Sequence, residues 1–194
     1  MKRVIYCLLL ASLFFSCSEK NKKTSLEEIS KAQSSMIQAY QKADSLRHEG
    51  VIDVNLSDSF IQQALAFYEM YPEEKMAPEM LVNAGVLSMT LAKYFKDIHP
   101  DDISSKVKYA EQALSIFNII LKVYPDYEGV KNSHLNKGII YDDILEDYAS
   151  ADTEYREFIH KYPHDSIAIN IANYLQYLGK TPEEIMMEFE TAGN

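Results

Sequence analysis

Apolar residues recur at helical spacing along most of this chain, and three of the stretches they form stop at the same dipeptide. Tyr71-Pro72, Tyr124-Pro125 and Tyr162-Pro163 use half of the six prolines. Counting back from each proline, the same kinds of residue return. Phe60, Ala113 and Ala151 stand twelve before it, Ala64, Phe117 and Tyr155 eight before, Phe67, Ile120 and Phe158 five before, and Tyr68, Leu121 and Ile159 four before. Such offsets lie on one face of a helix. Proline has no N–H to donate and disfavours helix in the residue before it, so each copy ends at the same point. The chain therefore contains an internal repeat, and that decides its architecture first.

The remaining pattern divides into eight helices. The first is capped by Thr24 or Ser25, carries Glu27 and Glu28 in its first turn and ends at Gly50. After a link over Val51–Leu56, Ser57 or Asp58 caps a second helix that runs to Tyr71. A third begins at Pro78, suited to a first turn, and reaches Ile98; His99-Pro100-Asp101-Asp102 breaks it. A fourth spans Ile103–Tyr124, a fifth Tyr127–Leu145, and a sixth Asp147–Tyr162. A seventh begins after Asp165 or Ser166 and ends at Gly179. Thr181 caps an eighth, with Pro182 at its first position and Glu183 and Glu184 beside the dipole. No alternating strand pattern of useful length occurs. The expectation is an all-α chain of four antiparallel helix pairs.

These pairs resemble tetratricopeptide repeats, helix–turn–helix units of about 34 residues stacked side by side. The third pair carries the resemblance best. Gly138 and Tyr141 match its first helix, and Tyr148, Ala151, Tyr155, Phe158 and Pro163 its second, with one extra residue placed in the turn. The fourth pair fits from Ala172 through Gly179, Ile185, Phe189 and Ala192. In the second, Asn83-Ala84-Gly85 echoes Asn136-Lys137-Gly138, but its turn carries about sixteen extra residues around Asp97–Lys106. The first pair matches mainly through its second helix. The resemblance covers residues 25–192 and implies an α-α superhelix of about four pairs. Small residues at Gly85, Gly138, Ala113, Ala151 and Ala172 would let neighbouring helices approach, and Phe117, Tyr155 and Phe158 would fill the gaps between pairs.

Residues 1–16 lie outside that pattern. Lys2 and Arg3 precede an apolar run, Val4–Phe15, too short to span a bilayer, which takes about 20 residues. The segment Leu13-Phe14-Phe15-Ser16-Cys17 resembles a bacterial lipoprotein signal, departing from it at Phe14 and Phe15. The resemblance implies cleavage before Cys17 and lipidation of that residue, with residues 17–24 as a polar tether and 25–194 as the helical domain. Ser18 after the cysteine implies the outer membrane, facing the periplasm. Cys7 leaves with the signal, so no disulfide or thiolate metal site remains. Formal charge is −10; loss of Lys2 and Arg3 makes it −12. A body this acidic does not bind nucleic acid by neutralising phosphates, and only the lipid would hold it at a membrane.

No catalytic constellation is recognisable. The chain lacks a His-Glu-x-x-His segment, a glycine-rich phosphate loop and a nucleophile elbow. His160 and His164 are separated by the helix-ending Pro163, and Asp101-Asp102 and Asp142-Asp143 read as solvated charge. No catalytic residue, cofactor or metal is expected. Met70, Met76, Met80, Met186 and Met187 are expected to fill core gaps. In the repeat family the first helix of each pair lines a concave groove. By that resemblance the groove residues are Glu79, Val82, Val86, Met89 and Thr90, then Asn132, Leu135, Ile139, Asp142 and Asp143, then Ser166, Ile169, Asn173, Gln176 and Tyr177. Such a wall suits a peptide or envelope protein, and its acidity suits a basic segment. The reading is a membrane-anchored adaptor similar to helical-repeat lipoproteins of outer-membrane assembly and the Tol system. Two alternatives stay open: a ligand-binding or enzymatic protein with a pocket between helices and the Asp97–Lys106 insertion as a lid, or a self-assembling envelope protein open at its last helix.

Overall fold

A computed structural model describes residues 26–192, which are all-helical: eight helices and no strand among the described residues. The signal segment, Cys17 and the tether lie outside them. Helix α1 covers 26–48 and α2 Val54–Met70. They are followed by α3 (Ala77–Ile98), α4 (Ile103–Val123) and α5 (Val130–Ile139), which continues as a π-helical turn over Ile140–Leu145. The last three are α6 (Tyr148–Lys161), α7 (Ser166–Tyr174), which tightens to a 3-10 turn at Leu175–Tyr177, and α8 (Pro182–Ala192). From α2 to α7 each helix packs on the next. Short links between contacting neighbours make successive helices antiparallel. None of the described helices is long and apolar enough to cross a membrane.

The Tyr-Pro stops share one geometry. Tyr71, Tyr124 and Tyr162 leave the helix at φ −138°, −124° and −127° with ψ 56°, 54° and 54°. Each still donates its N–H to the carbonyl four residues back, on Phe67, Ile120 and Phe158. Each carbonyl then accepts the N–H three residues on, from Glu74, Tyr127 and Asp165. His99-Pro100 repeats this turn, with φ −128° and ψ 59°, a bond to Phe95 and one from Asp102. A residue before proline avoids helical ψ, whichever side chain it carries, so the turn follows from X-Pro rather than from tyrosine.

Aspartates start the helices. Asp53, Asp102, Asp147 and Asp165 each accept a first-turn N–H, at 3.0, 3.0, 3.2 and 2.8 Å. Asp53 starts α2 earlier than the expected Ser57 or Asp58, and Ser57 is buried inside the helix. Thr181 and Glu184 exchange side-chain-to-backbone bonds at 3.2 and 2.8 Å, a reciprocal cap on α8. The extra residues of the second pair lengthen α3 and α4, leaving only 99–102 between them.

Glycine and ring meet in each of two consecutive pairs. A methyl group on Gly85 would lie 2.7 Å from the Phe117 ring, and one on Gly138 would lie 2.5 Å from the Tyr155 ring. Both rings stand eight residues before a Tyr-Pro proline. The core divides in two. One cluster runs from α1 to the π turn, centred on Phe60, Leu81, Leu91, Phe117 and Ile140. A smaller one joins α6 to α7 through Ala151, Tyr155, Phe158, Ala168 and Ile171. Tyr141, on the π turn, packs against both. Met80 is buried as expected, but Met70, Met186 and Met187 are about 60% exposed (60%, 63% and 60%), which removes them from the core. They sit at the end of α2 and on α8, where no later helix covers them.

Candidate functional site

The π turn brings the expected Asp142 and Asp143 to a junction of α3, α5 and α7. Its defining bond runs from the Glu146 N–H to the Tyr141 carbonyl, and the Asp147 N–H joins the same oxygen at 2.8 Å. Glu146 ends the turn at φ 58°, among the described residues the one non-glycine in left-handed conformation. Wide π turns with a strained end recur at functional sites.

Asp143 faces α3. Lys93 donates to its Oδ2 at 2.7 Å. Lys96 donates to its main-chain oxygen and reaches Oδ1 at 3.5 Å and Glu146 Oε1 at 3.2 Å. Burial pushes the Asp143 carboxyl up, but the Lys93 bond and both lysine charges outweigh it, so Asp143 lies below the ordinary carboxylate range. The bond to Asp143 likewise raises Lys93. Asp142 turns the other way. Tyr155 and Tyr174 both donate to its Oδ2, at 3.0 and 2.8 Å. Burial, then the Asp142 charge and bond, push the buried Tyr155 phenol far above its usual value; burial and the same bond raise Tyr174 as well. The expected acidic wall is therefore internally satisfied: one carboxylate is neutralised by lysines and the other is shielded by phenols.

Two depressions meet at Asp143. One, of about 290 Å³, is lined mainly by apolar atoms of Met89, Ile98, Ile139 and Ile144, with Thr90 and Lys93 at its edge. The other, about 250 Å³, is polar and holds Lys96, Asp142, Glu146, Tyr148, Tyr174 and Lys180. Met89, Ile139, Asp142 and Asp143 are thus brought together, and Thr90 joins them. Val82 and Val86 lie half-buried against the core, Val82 with a methyl against Gly129. Leu135 packs on the α6–α7 cluster, and Asn132 is exposed.

The other expected residues lie elsewhere. Glu79 borders a separate hollow of about 810 Å³ with Pro72, Tyr124 and Tyr127. Gln176 faces Arg156, Ile159 and His160 of α6 across a hollow of about 630 Å³. Its Nε2 donates to the Asn173 carbonyl at 2.9 Å. The Tyr177 ring stands 6.0 Å from Phe189 of α8, and Ser166 and Ile169 are exposed. Helix α7 contributes Tyr174 to the junction instead. Tyr174 is one step from Asn173, and one helical step rotates a side chain by about 100°.

No protein-family model, curated protein or solved structure matches this chain. Its functional reading rests on its own residues.

Proposed function

We propose that this protein is a lipid-anchored envelope adaptor of tetratricopeptide type, which holds an extended segment of a partner across the face built by α3, the π turn and the end of α7. The observation that carries the reading is the meeting of an apolar and a polar depression at Asp143, lined by residues of α3, the π turn and the end of α7. The apolar cleft accepts one aliphatic or aromatic anchor. Beside it, Thr90, Tyr174 and the Lys96–Glu146 pair offer groups that bond to an extended backbone. The ion pairs at Asp143 are already made, so selectivity for a basic partner comes from the net charge of the whole body, by steering. A lipid on Cys17 confines the face to a shell beside the membrane and raises the effective concentration of any partner there.

Ile98 tests the face. It lines the cleft yet is 61% exposed, so Ile98→Asp leaves the core intact. A photocrosslinker at Thr90 in intact cells is expected to capture one dominant envelope protein, and Ile98→Asp to cut that yield by about tenfold, the effect of losing roughly 1.4 kcal/mol of anchor burial. Equal capture by wild type and variant would refute the face. Cys17→Ser is expected to release the chain from the membrane fraction; a variant that stays membrane-bound would refute the anchor alone.

A further inference from the structure

Away from the junction, α5 and α6 carry two buried ligand atoms with no partner. Nδ1 of His134, on α5, and Oε2 of Glu154, on α6, are closed to solvent and unbonded. Buried polar atoms without a partner are few in folded proteins, and an ion is one of the things that satisfies them. Glu157 stands three residues beyond Glu154 on the same side of α6. One ligand atom from each of His134, Glu154 and Glu157 lies within 4.8 Å of the other two.

We propose that His134, Glu154 and Glu157 bind a divalent transition-metal ion of the zinc type and so clip α5 to α6. Imidazole nitrogen and carboxylate oxygen are ordinary donors to zinc, and three protein ligands leave a fourth position for water. The Tyr162 ring, 6.1 Å away and edge-on, holds the imidazole in place. Tetrahedral ligands about 2.0–2.1 Å from zinc stand roughly 3.4 Å apart, so loading contracts the site by at most about 1.4 Å. Glu157, the exposed member of the three, is the one placed to close that distance.

Two lysines border the site. Lys137 occupies the other oxygen of Glu154, at 2.7 Å, and balances one of the two carboxylate charges. Lys161 contacts Nε2 of His134 at 3.0 Å from an exposed position at the end of α6. An ammonium beside the imidazole opposes a second cation. Coordination through Nδ1 makes Nε2 a donor, so the Lys161 amine swings out and water accepts from Nε2. Lys161 is therefore the competitor that sets the affinity.

The test is isothermal titration of the full-length chain with Zn²⁺ alone, with Co²⁺ absorbance reporting the ligand type. One ion is expected to bind, with nitrogen–oxygen coordination. Glu157→Gln should weaken it at least about tenfold, as loss of a ligand contact does. Lys161→Ala should tighten it, and His160→Ala should leave it unchanged. Glu157, Lys161 and His160 are exposed, so none of these variants threatens the fold. His134→Ala should abolish binding. No binding at millimolar Zn²⁺, a thiolate spectrum that survives His134→Ala, or an affinity indifferent to both Glu157→Gln and Lys161→Ala would overturn the site.

Discussion

At the residue scale, two tyrosine hydroxyls donate to a single carboxylate oxygen, Oδ2 of Asp142. Tyr155 is 5% exposed, so its O–H has no water to fall back on. Tyr155→Phe keeps the ring against Gly138 and removes only the bond to Asp142, which retains Tyr174. Stability is expected to fall by about 1 kcal/mol, lowering Tm by about 2–4 °C in a thermal melt. Both phenols are held protonated, by burial first and by Asp142 second. Unfolded, they ionise at their ordinary value of 10.0. Above that pH the unfolded chain gives up protons that the folded chain keeps, so stability declines as pH rises. An alkaline titration of tyrosine absorbance should show the buried Tyr155 ionising only together with loss of helical circular dichroism, and the decline should be shallower in Tyr155→Phe.

Glycines set how closely helices approach at the element scale. Ala for Gly inside a helix normally gains up to about 1 kcal/mol. At Gly138 the new methyl would overlap the Tyr155 ring, and overpacking costs about 1–3 kcal/mol. Gly138→Ala is therefore expected to destabilise despite its better helix propensity. Gly138→Ala with Tyr155→Leu should cost less than the sum of the two single changes in a denaturant-unfolding cycle. The glycine and the ring were both legible in the sequence as members of the repeat; their contact was not, because thirteen residues after one proline and eight before the next are related only by packing. The π turn shows the same division. One surplus residue was countable in the third pair, and sequence placed it in the inter-helix turn. The chain instead widens α5 at Ile140–Leu145, which keeps Ile140 and Ile144 in the larger core and sets Tyr141 between both clusters.

Burial is uneven across the whole molecule. Helices α3 and α4 contribute the most buried side chains, from Leu81 to Ile120, whereas α8 presents Met186, Met187 and Phe189 to solvent and is held by its cap, the Tyr177–Phe189 contact and the Lys180–Glu188 pair at 2.6 Å. A helix with few packed neighbours opens more readily than a buried one, so local stability falls off toward an uncovered end. Hydrogen exchange should find the amides of α8 replaced fastest among the eight helices and those of α3 and α4 slowest. Slow exchange in α8 would mean that something covers its apolar side in solution.

Sequence alone determined the element count, the helix stops and the caps at Asp165 and Thr181, because these depend on residues within a few positions of one another. X-Pro ends the helices at Tyr71, His99, Tyr124 and Tyr162, and an aspartate caps the start of α2, α4, α6 and α7. Asp142 and Asp143 were legible as candidates, but their partners were not: Lys93 lies fifty residues away and Tyr174 thirty-two, distances that only packing closes. His134 and Glu154 stand on different helices with no motif joining them, so no spacing rule could pair them. The tertiary structure alone decided which carboxylates are neutralised, which hollow each groove candidate borders and where buried ligand atoms meet, because burial and electrostatics are properties of neighbours in space.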